Sequence, residues 1–242
     1  MVRNLSISLN NVPRRQNGSA RWATLVTLAA AVMGSVGCAE DLGRPARPGL
    51  GVFTTSQDIG AAELPGQITA PAPGSYLVSG AGRNLWGARD EFHFAFTELI
   101  GDAQIGADID LGAPLGQRYR KALLMFRSNT KPDAAYVDVA VHENGVASLQ
   151  YRPYDGAPTL DLQSRISKPS HVRLVRRGSY FHAEFDDGAG QHEELGPIAV
   201  SLPDNALVGV GVNSADTDHL ARVTFRNLEL SQAVSLASAE SF

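Results

Sequence analysis

Residues 80–99 read GAGRNLWGARDEFHFAFTEL. The first half is a glycine-punctuated loop around Trp86. From Glu91 onward the residues alternate, with Phe92, Phe94 and Phe96 on one face of an extended chain and His93, Ala95 and Thr97 on the other, because successive side chains of a strand point to opposite sides. Three phenylalanines on one face predict a core strand.

The same period recurs on either side. After a Gly101-Asp102 turn, Ile105, Ala107 and Ile109 alternate with Gln104, Gly106, Asp108 and Asp110, the pattern of a half-buried antiparallel strand. Residues 121–127, KALLMFR, are apolar on both faces, which predicts a strand enclosed by the core. Residues 136–142 place Val137, Val139 and Val141 inward and Asp138 and His142 outward. Asn144-Gly145, residues that tolerate positive φ, turn the chain into a strand over 147–152. A polar connection closed by Lys168-Pro169 precedes a three-stranded meander over 171–177, 179–185 and 192–195. Residues 206–213 set Val208, Val210 and Val212 against Gly209 and Gly211, and glycine opposite a valine row predicts close approach by another part of the molecule. Residues 222–230 form the last strand. Upstream, residues 53–87 break into short strand-like pieces, the longest around Tyr76-Leu77-Val78. Ten or more short strands with turn signals between them, and no amphipathic helical period, predict an all-β, two-sheet antiparallel sandwich.

The first 38 residues have a different texture. They hold Arg3, Arg14, Arg15 and Arg21 and no acidic residue, and residues 22–36, WATLVTLAAAVMGSV, are apolar or small throughout, the form of a secretory signal. At about 15 residues this run is shorter than the ~20 of a membrane-spanning helix. Gly37 and Cys38 follow, and Cys38 is the only cysteine. The arrangement resembles the bacterial lipoprotein signal, in which such a cysteine is lipidated. Ser35 stands where that signal usually has leucine, and an ordinary signal peptide is the alternative. Arg14-Arg15 suggests twin-arginine export, but Gln16-Asn17 is not the pair that usually follows.

The expected organisation is therefore a signal segment (1–38), a Pro/Gly-rich flexible tether (39–52), the β-sandwich (53–231) and a weakly ordered tail (232–242). The expected location is the cell envelope, lipid-anchored at Cys38 or else secreted, with membrane contact only through that anchor. Without the leader the chain has 17 basic and 25 acidic residues, a formal charge of −8, which gives no footprint for nucleic acid. A lone cysteine makes no internal disulfide, so the core alone must stabilise the exported domain.

Taken in order, QDIG (57–60), VSGAGRNLWGARDEFHFAFTELIGDAQIGADI (78–109), LLMFRSN (123–129), VRLVRRGSYFHAEFDDG (172–188), VGVGVNS (208–214) and VTFRNLEL (223–230) resemble a known group. The chain is similar to bacterial concanavalin A-like domains of the "regulation of enolase" family, related to C-terminal domains of some β-xylosidases. The resemblance implies a jelly-roll sandwich with one concave sheet, often appended to carbohydrate-active or cell-surface proteins. It implies a fold more firmly than a function. Such domains commonly carry a tryptophan soon after the DG turn, whereas here Ala189-Gly190-Gln191-His192 follow it.

Sugar recognition requires aromatic faces for the apolar side of a pyranose and planar polar groups for its hydroxyls. Trp86, the one tryptophan beyond the leader, stands in a loop beside Asp90 and His93. Arg127, Tyr151 and Arg152 fall on strands that the resemblance places in or near the concave sheet. These six are the candidate glycan-facing residues. Trp86 also reads as a core plug at the sheet edge. Arg127, ending an apolar strand, needs a carboxylate partner, for which Asp90 is the candidate, so a structural ion pair and a binding site both remain open.

Retaining glycoside hydrolysis needs two carboxyl groups ~5 Å apart. Glu184-Phe185-Asp186-Asp187-Gly188 supplies two alternating acids but not a third, and it reads as a solvated face running into a hairpin. No catalytic residue is assigned. His142, His171, His182, His192 and His219 are scattered without ligand spacing and read as surface residues, giving no transition-metal site. Asp216-Thr217-Asp218 could ligate calcium but is equally turn chemistry; no other cofactor is expected. Three functions are carried forward. The preferred one is a non-catalytic domain binding carbohydrate or another cell-envelope polymer. The others are a glycoside hydrolase or lyase using Glu184 and Asp186, and a structural lipoprotein contacting a protein partner.

Overall fold

The computed structural model describes residues 49–232. The signal segment with Cys38, most of the tether and nearly all of the tail lie outside the described residues. Those described contain sixteen strands and no helix. One seven-stranded antiparallel sheet, here the front sheet, has the order β1 (Thr55–Ile59), β6 (Phe92–Ile100), β15 (Asn205–Asn213), β8 (Lys121–Arg127), β9 (Tyr136–His142), β10 (Ala147–Arg152), β11 (Leu160–Gln163). The other, the back sheet, runs β14 (His192–Ala199), β13 (Tyr180–Asp186), β12 (His171–Arg177), β7 (Ala103–Asp110), β16 (Asp216–Gln232), β3 (Ser75–Gly82), β2 (Gln67–Ala72). β4 (Leu85–Trp86) and β5 (Arg89–Asp90) form a small separate hairpin.

The core between the sheets is built by alternation. Leu124, Phe126, Val137, Val139, Val141, Leu149, Val208, Val210 and Val212 meet Ile105, Ala107, Val172, Leu174, Phe181, Phe185, Val223 and Phe225, all buried. Phe126 and Phe181 meet edge-on across the interface, ring centroids 5.6 Å apart, a favoured aromatic geometry. The expected meander is present as β12–β13–β14.

The phenylalanine row of β6 is buried, but on the opposite face from that core. Ala95 points between the sheets, whereas Phe92, Phe94 and Phe96 belong to a second apolar cluster with Ile59, Leu85, Leu123, Met125, Tyr136 and Leu207. Periodicity separates two faces of a strand but does not say which faces the other sheet. The predicted close approach on β15 has its cause here, because a Cβ at Gly211 would lie 2.9 Å from the Phe92 ring. Both faces of the front sheet are therefore covered, and β8 and β9 are buried along their whole length.

Several strand boundaries differ from expectation. β3 runs on to Gly82, β14 continues to Ala199 rather than ending at 195, β16 starts at Asp216 rather than 222, and β11 lies inside the segment read as a polar connection. β11 is a short edge strand with alternating Leu160, Asp161, Leu162 and Gln163, too brief to stand out from a loop.

Candidate functional site

Three buried cations hold the β4–β5 hairpin to the outer face of the front sheet. Lys121, at the start of β8, donates to the Leu85 carbonyl at 3.0 Å. Arg127, at the end of β8, donates to Asp90 Oδ2 at 2.7 Å. Arg152 on β10 donates to both Asp90 oxygens, at 2.6 and 2.7 Å, and to the Gly87 carbonyl at 2.9 Å. Asp90, Arg127 and Arg152 are completely buried. Two buried guanidiniums on one carboxylate leave excess positive charge, which the carbonyls of Asn129, Lys131, Ala134 and Ala157 solvate, as burial of charge demands. Gly87, at φ +64°, supplies the left-handed turn residue between Trp86 and Arg89. The hairpin thus carries Trp86, 42% exposed, on a rigid mount.

Beside the hairpin lies a cleft of about 550 Å³. Its floor is the outer face of β8–β11, with Lys121, His142, Ser148 and Gln150; its walls include Asn84, Trp86, Arg118, Tyr119 and Asp161. Register explains the convergence, since Lys121 lies opposite His142, Asp138 opposite Gln150, and Gln150 opposite Asp161. The 111–119 loop that carries Arg118 and Tyr119 is tied down as firmly as the hairpin. Arg120 donates to the carbonyls of Ala113 and Leu111 at 2.9 and 2.8 Å. Glu143 accepts the amides of Leu115 and Gly116. Arg120 Nε lies 2.9 Å from Glu143 Oε2, a charge contact made off the N–H axis.

The floor holds unspent hydrogen-bonding capacity. Ser148 Oγ and Gln150 Oε1 in the floor, and both carboxyl oxygens of Asp138 opposite Gln150, are buried without a protein partner. Such groups cost free energy unless something pairs with them. Burial pushes the Asp138 carboxyl well above the usual carboxylate range, against the pull of Lys121. Burial likewise lowers Lys121 to about 8, against the opposing pull of Asp138, Asp90 and Asp161. His142 falls to about 3 through burial and then the Lys121 charge, so it is a neutral imidazole across the ordinary pH range. Perturbed ionisable groups gathered in a cleft mark a candidate site.

Of the six residues singled out in the sequence, Trp86 alone lines this cleft. Asp90, Arg127 and Arg152 come together beneath the hairpin, with the anticipated Arg127–Asp90 pair present, as its anchors. Tyr151 points the other way and packs against the inter-sheet core. His93, expected beside Trp86, instead faces inward on β6. It is 2% exposed and pairs with Ser56 Oγ and Asp58 Oδ1 at 2.6 and 2.7 Å. His93 and His142 are thus buried rather than surface residues. Asp138 and His142 do point away from the back sheet, but onto a covered face. The floor residues Lys121, His142, Ser148 and Gln150 were not singled out as candidates, although polar side chains at alternate positions were visible in ASLQYR, and Lys121 and His142 stand at the ends of the otherwise largely apolar KALLMFR and YVDVAVH.

The remaining candidates lie elsewhere. Glu184 is on the outer face of the back sheet, paired with Arg173 at 2.9 Å, and Asp186 accepts the Gly188 amide in the hairpin. These acids therefore do not line a groove with Trp86. The Asp216 carboxylate accepts from the Asp218 amide, Gln117 Nε2 and His219 Nδ1, which is turn chemistry. Among the described residues no group of three or more His, Cys, Asp or Glu could hold a metal ion.

No protein-family model and no curated protein matches the chain. The fold is similar to solved structures. One is a functionally unknown protein from Saccharomyces cerevisiae, at TM-score 0.56 and 14% identity, covering 69% of this chain and 92% of that one. Another is the carbohydrate-binding module CBM66 from Bacillus subtilis, at TM-score 0.50 and 12% identity, covering 75% and 98%. At these identities the likeness concerns the fold. Two packed seven-stranded antiparallel sheets, aligned over nearly the whole of both structures, make this chain an all-β, two-sheet antiparallel sandwich.

Proposed function

We propose that this protein is a non-catalytic carbohydrate-binding domain, exported and held at the cell envelope by lipid on Cys38, and that the cleft beside Trp86 is its binding site. The observation that carries the reading is an exposed tryptophan, on a mount fixed by buried ion pairs, set beside a floor of polar groups without partners. Stacking of a sugar's apolar face on Trp86 and hydrogen bonding to Lys121, Ser148 and Gln150 is the chemistry these side chains offer. The similarity to a carbohydrate-binding module supports it at the level of fold. Removal of Glu184 and Asp186 from the Trp86 groove takes away the basis of the hydrolase alternative.

Affinity electrophoresis through gels containing soluble polysaccharides tests the reading, with Trp86→Ala run alongside. Retardation by at least one polymer, lost in the variant, is the expected result. A folded protein retarded by none would leave the protein-contact role instead. Export is checked separately, by metabolic labelling with a fatty acid. Label incorporated by the parent and absent from Cys38→Ala is expected; equal label in both would refute the anchor.

A further inference from the structure

The unpaired atoms in and next to the cleft floor are unequal in kind. Asp138, lying opposite Gln150 on the neighbouring strand, and Gln150 itself contribute carboxyl and amide oxygens, and Ser148, two residues before Gln150 on the same face, contributes a hydroxyl. The Gln150 oxygen only accepts, whereas the Ser148 hydroxyl and the proton-holding Asp138 carboxyl each donate and accept, so the set calls for a partner that does both. A carboxylate, sulfate or phosphate brings only acceptors, whereas a hydroxyl both donates and accepts. The cations nearby are largely committed. Lys121 is engaged with the Leu85 carbonyl, His142 is neutral, and exposed Arg118 shares the cleft with the Asp161 carboxylate. Gln150 Nε2 contacts His142 Nε2 at 3.5 Å, while its Oε1 has no protein partner.

Resting on the carbohydrate reading above, we propose that the ligand is an uncharged polyhydroxylated glycan, whose hydroxyls take up the hydrogen bonds that Ser148 and Gln150 leave unmet. The protein itself gives these groups no partner, and a bound hydroxyl supplies one. Ser148→Ala and Gln150→Met remove two of the unmet groups with little change of shape.

The test has two arms on the purified protein. In the first, affinity electrophoresis compares neutral polymers (β-glucan, mannan, galactan) with anionic ones (polygalacturonate, alginate, a sulfated galactan) at 50 and 500 mM NaCl. Retardation by a neutral polymer, changing less than twofold with salt, is expected. Retardation by anionic polymers alone overturns the proposal and leaves the carbohydrate reading standing; retardation by none overturns both. In the second arm, the double variant Ser148→Ala/Gln150→Met is expected to lose at least tenfold in affinity for the retarding polymer while its melting temperature stays equal or rises. Undiminished binding, or a lowered melting temperature that marks these groups as supports of the fold, overturns the proposal.

Discussion

The two sheets of this sandwich carry polar side chains on their outer faces in opposite ways. On the back sheet they pair with one another in the open: Arg173 with Glu184 at 2.9 Å, His171 with Asp108 at 2.7 Å, and Arg226 with Asp110 at 3.1 Å, all half-buried or exposed. On the front sheet most are buried, and they divide into groups that anchor the hairpin and groups with an atom that has no protein partner. Exposed pairs that neutralise each other are the ordinary dress of a solvated sheet, worth little individually. Buried polar groups cost stability unless something pairs with them, and on the front sheet Ser148 and Gln150 bring such groups to a cleft.

The largest effect expected from this difference is at Asp90. Asp90→Asn leaves Arg127 and Arg152 buried without a counter-charge, which costs about 3–5 kcal/mol. For a domain of this size that is a fall on the order of 10 °C in the melting temperature. A calorimetric melt within 2 °C of the parent would show that the carbonyls around the two guanidiniums suffice without the carboxylate.

Next in size is a pair of opposite tilts in the pH profile. His142 titrates near 6.5 unfolded and about 3 folded, so the stability its neutral form carries is complete above 6.5 and is lost as pH falls toward 3. At about 1.36 kcal/mol per pH unit this amounts to at most roughly 5 kcal/mol. His142→Gln should therefore flatten the acid limb between pH 6 and 3. Asp138 has the opposite sign. Its folded carboxyl holds its proton well above the unfolded value near 3.8, so its contribution is fully present below that value and is lost as pH rises. Asp138→Asn should gain on the parent between pH 4 and 8. Urea unfolding across that range separates the two, and parallel slopes for parent and variants would contradict the assigned burial.

The smallest effect belongs to the back sheet. Glu184→Gln breaks a half-exposed pair and should cost under about 1 kcal/mol, a shift of about 2–4 °C at most. A loss as large as that of Asp90→Asn would erase the distinction between the faces.

Much of this contrast was legible in the sequence and part of it was not. Strands β8, β9, β10 and β12 fall at their predicted bounds, β8 because it is a continuous apolar run and β9 because Val137, Val139 and Val141 recur every second position, with turn residues marking where the strands end. Arg127 at the end of an apolar strand called for a carboxylate, and Asp90 is that carboxylate. What alternation withheld was the direction of each face. The phenylalanine row of β6 turned out to cover the outside of the front sheet, which put His93 inside against Ser56 and Asp58 and moved it away from Trp86. Nor could spacing show that Lys121, His142, Ser148 and Gln150 converge, because strand register places them side by side from segments up to 29 residues apart. Tyr119 and Arg118 reach the cleft through a loop whose path depends on the Arg120–Glu143 contact, a tertiary pairing with no local signature.

The most direct test of a functional front face is one electrophoresis experiment with three proteins in a gel containing a polysaccharide that retards the parent: the parent, Gln150→Met on the front sheet, and Glu184→Gln on the back sheet. Retardation retained by Glu184→Gln and lost by Gln150→Met is the result expected. Retardation lost by Glu184→Gln and retained by Gln150→Met would place the binding surface on the back sheet and contradict the account.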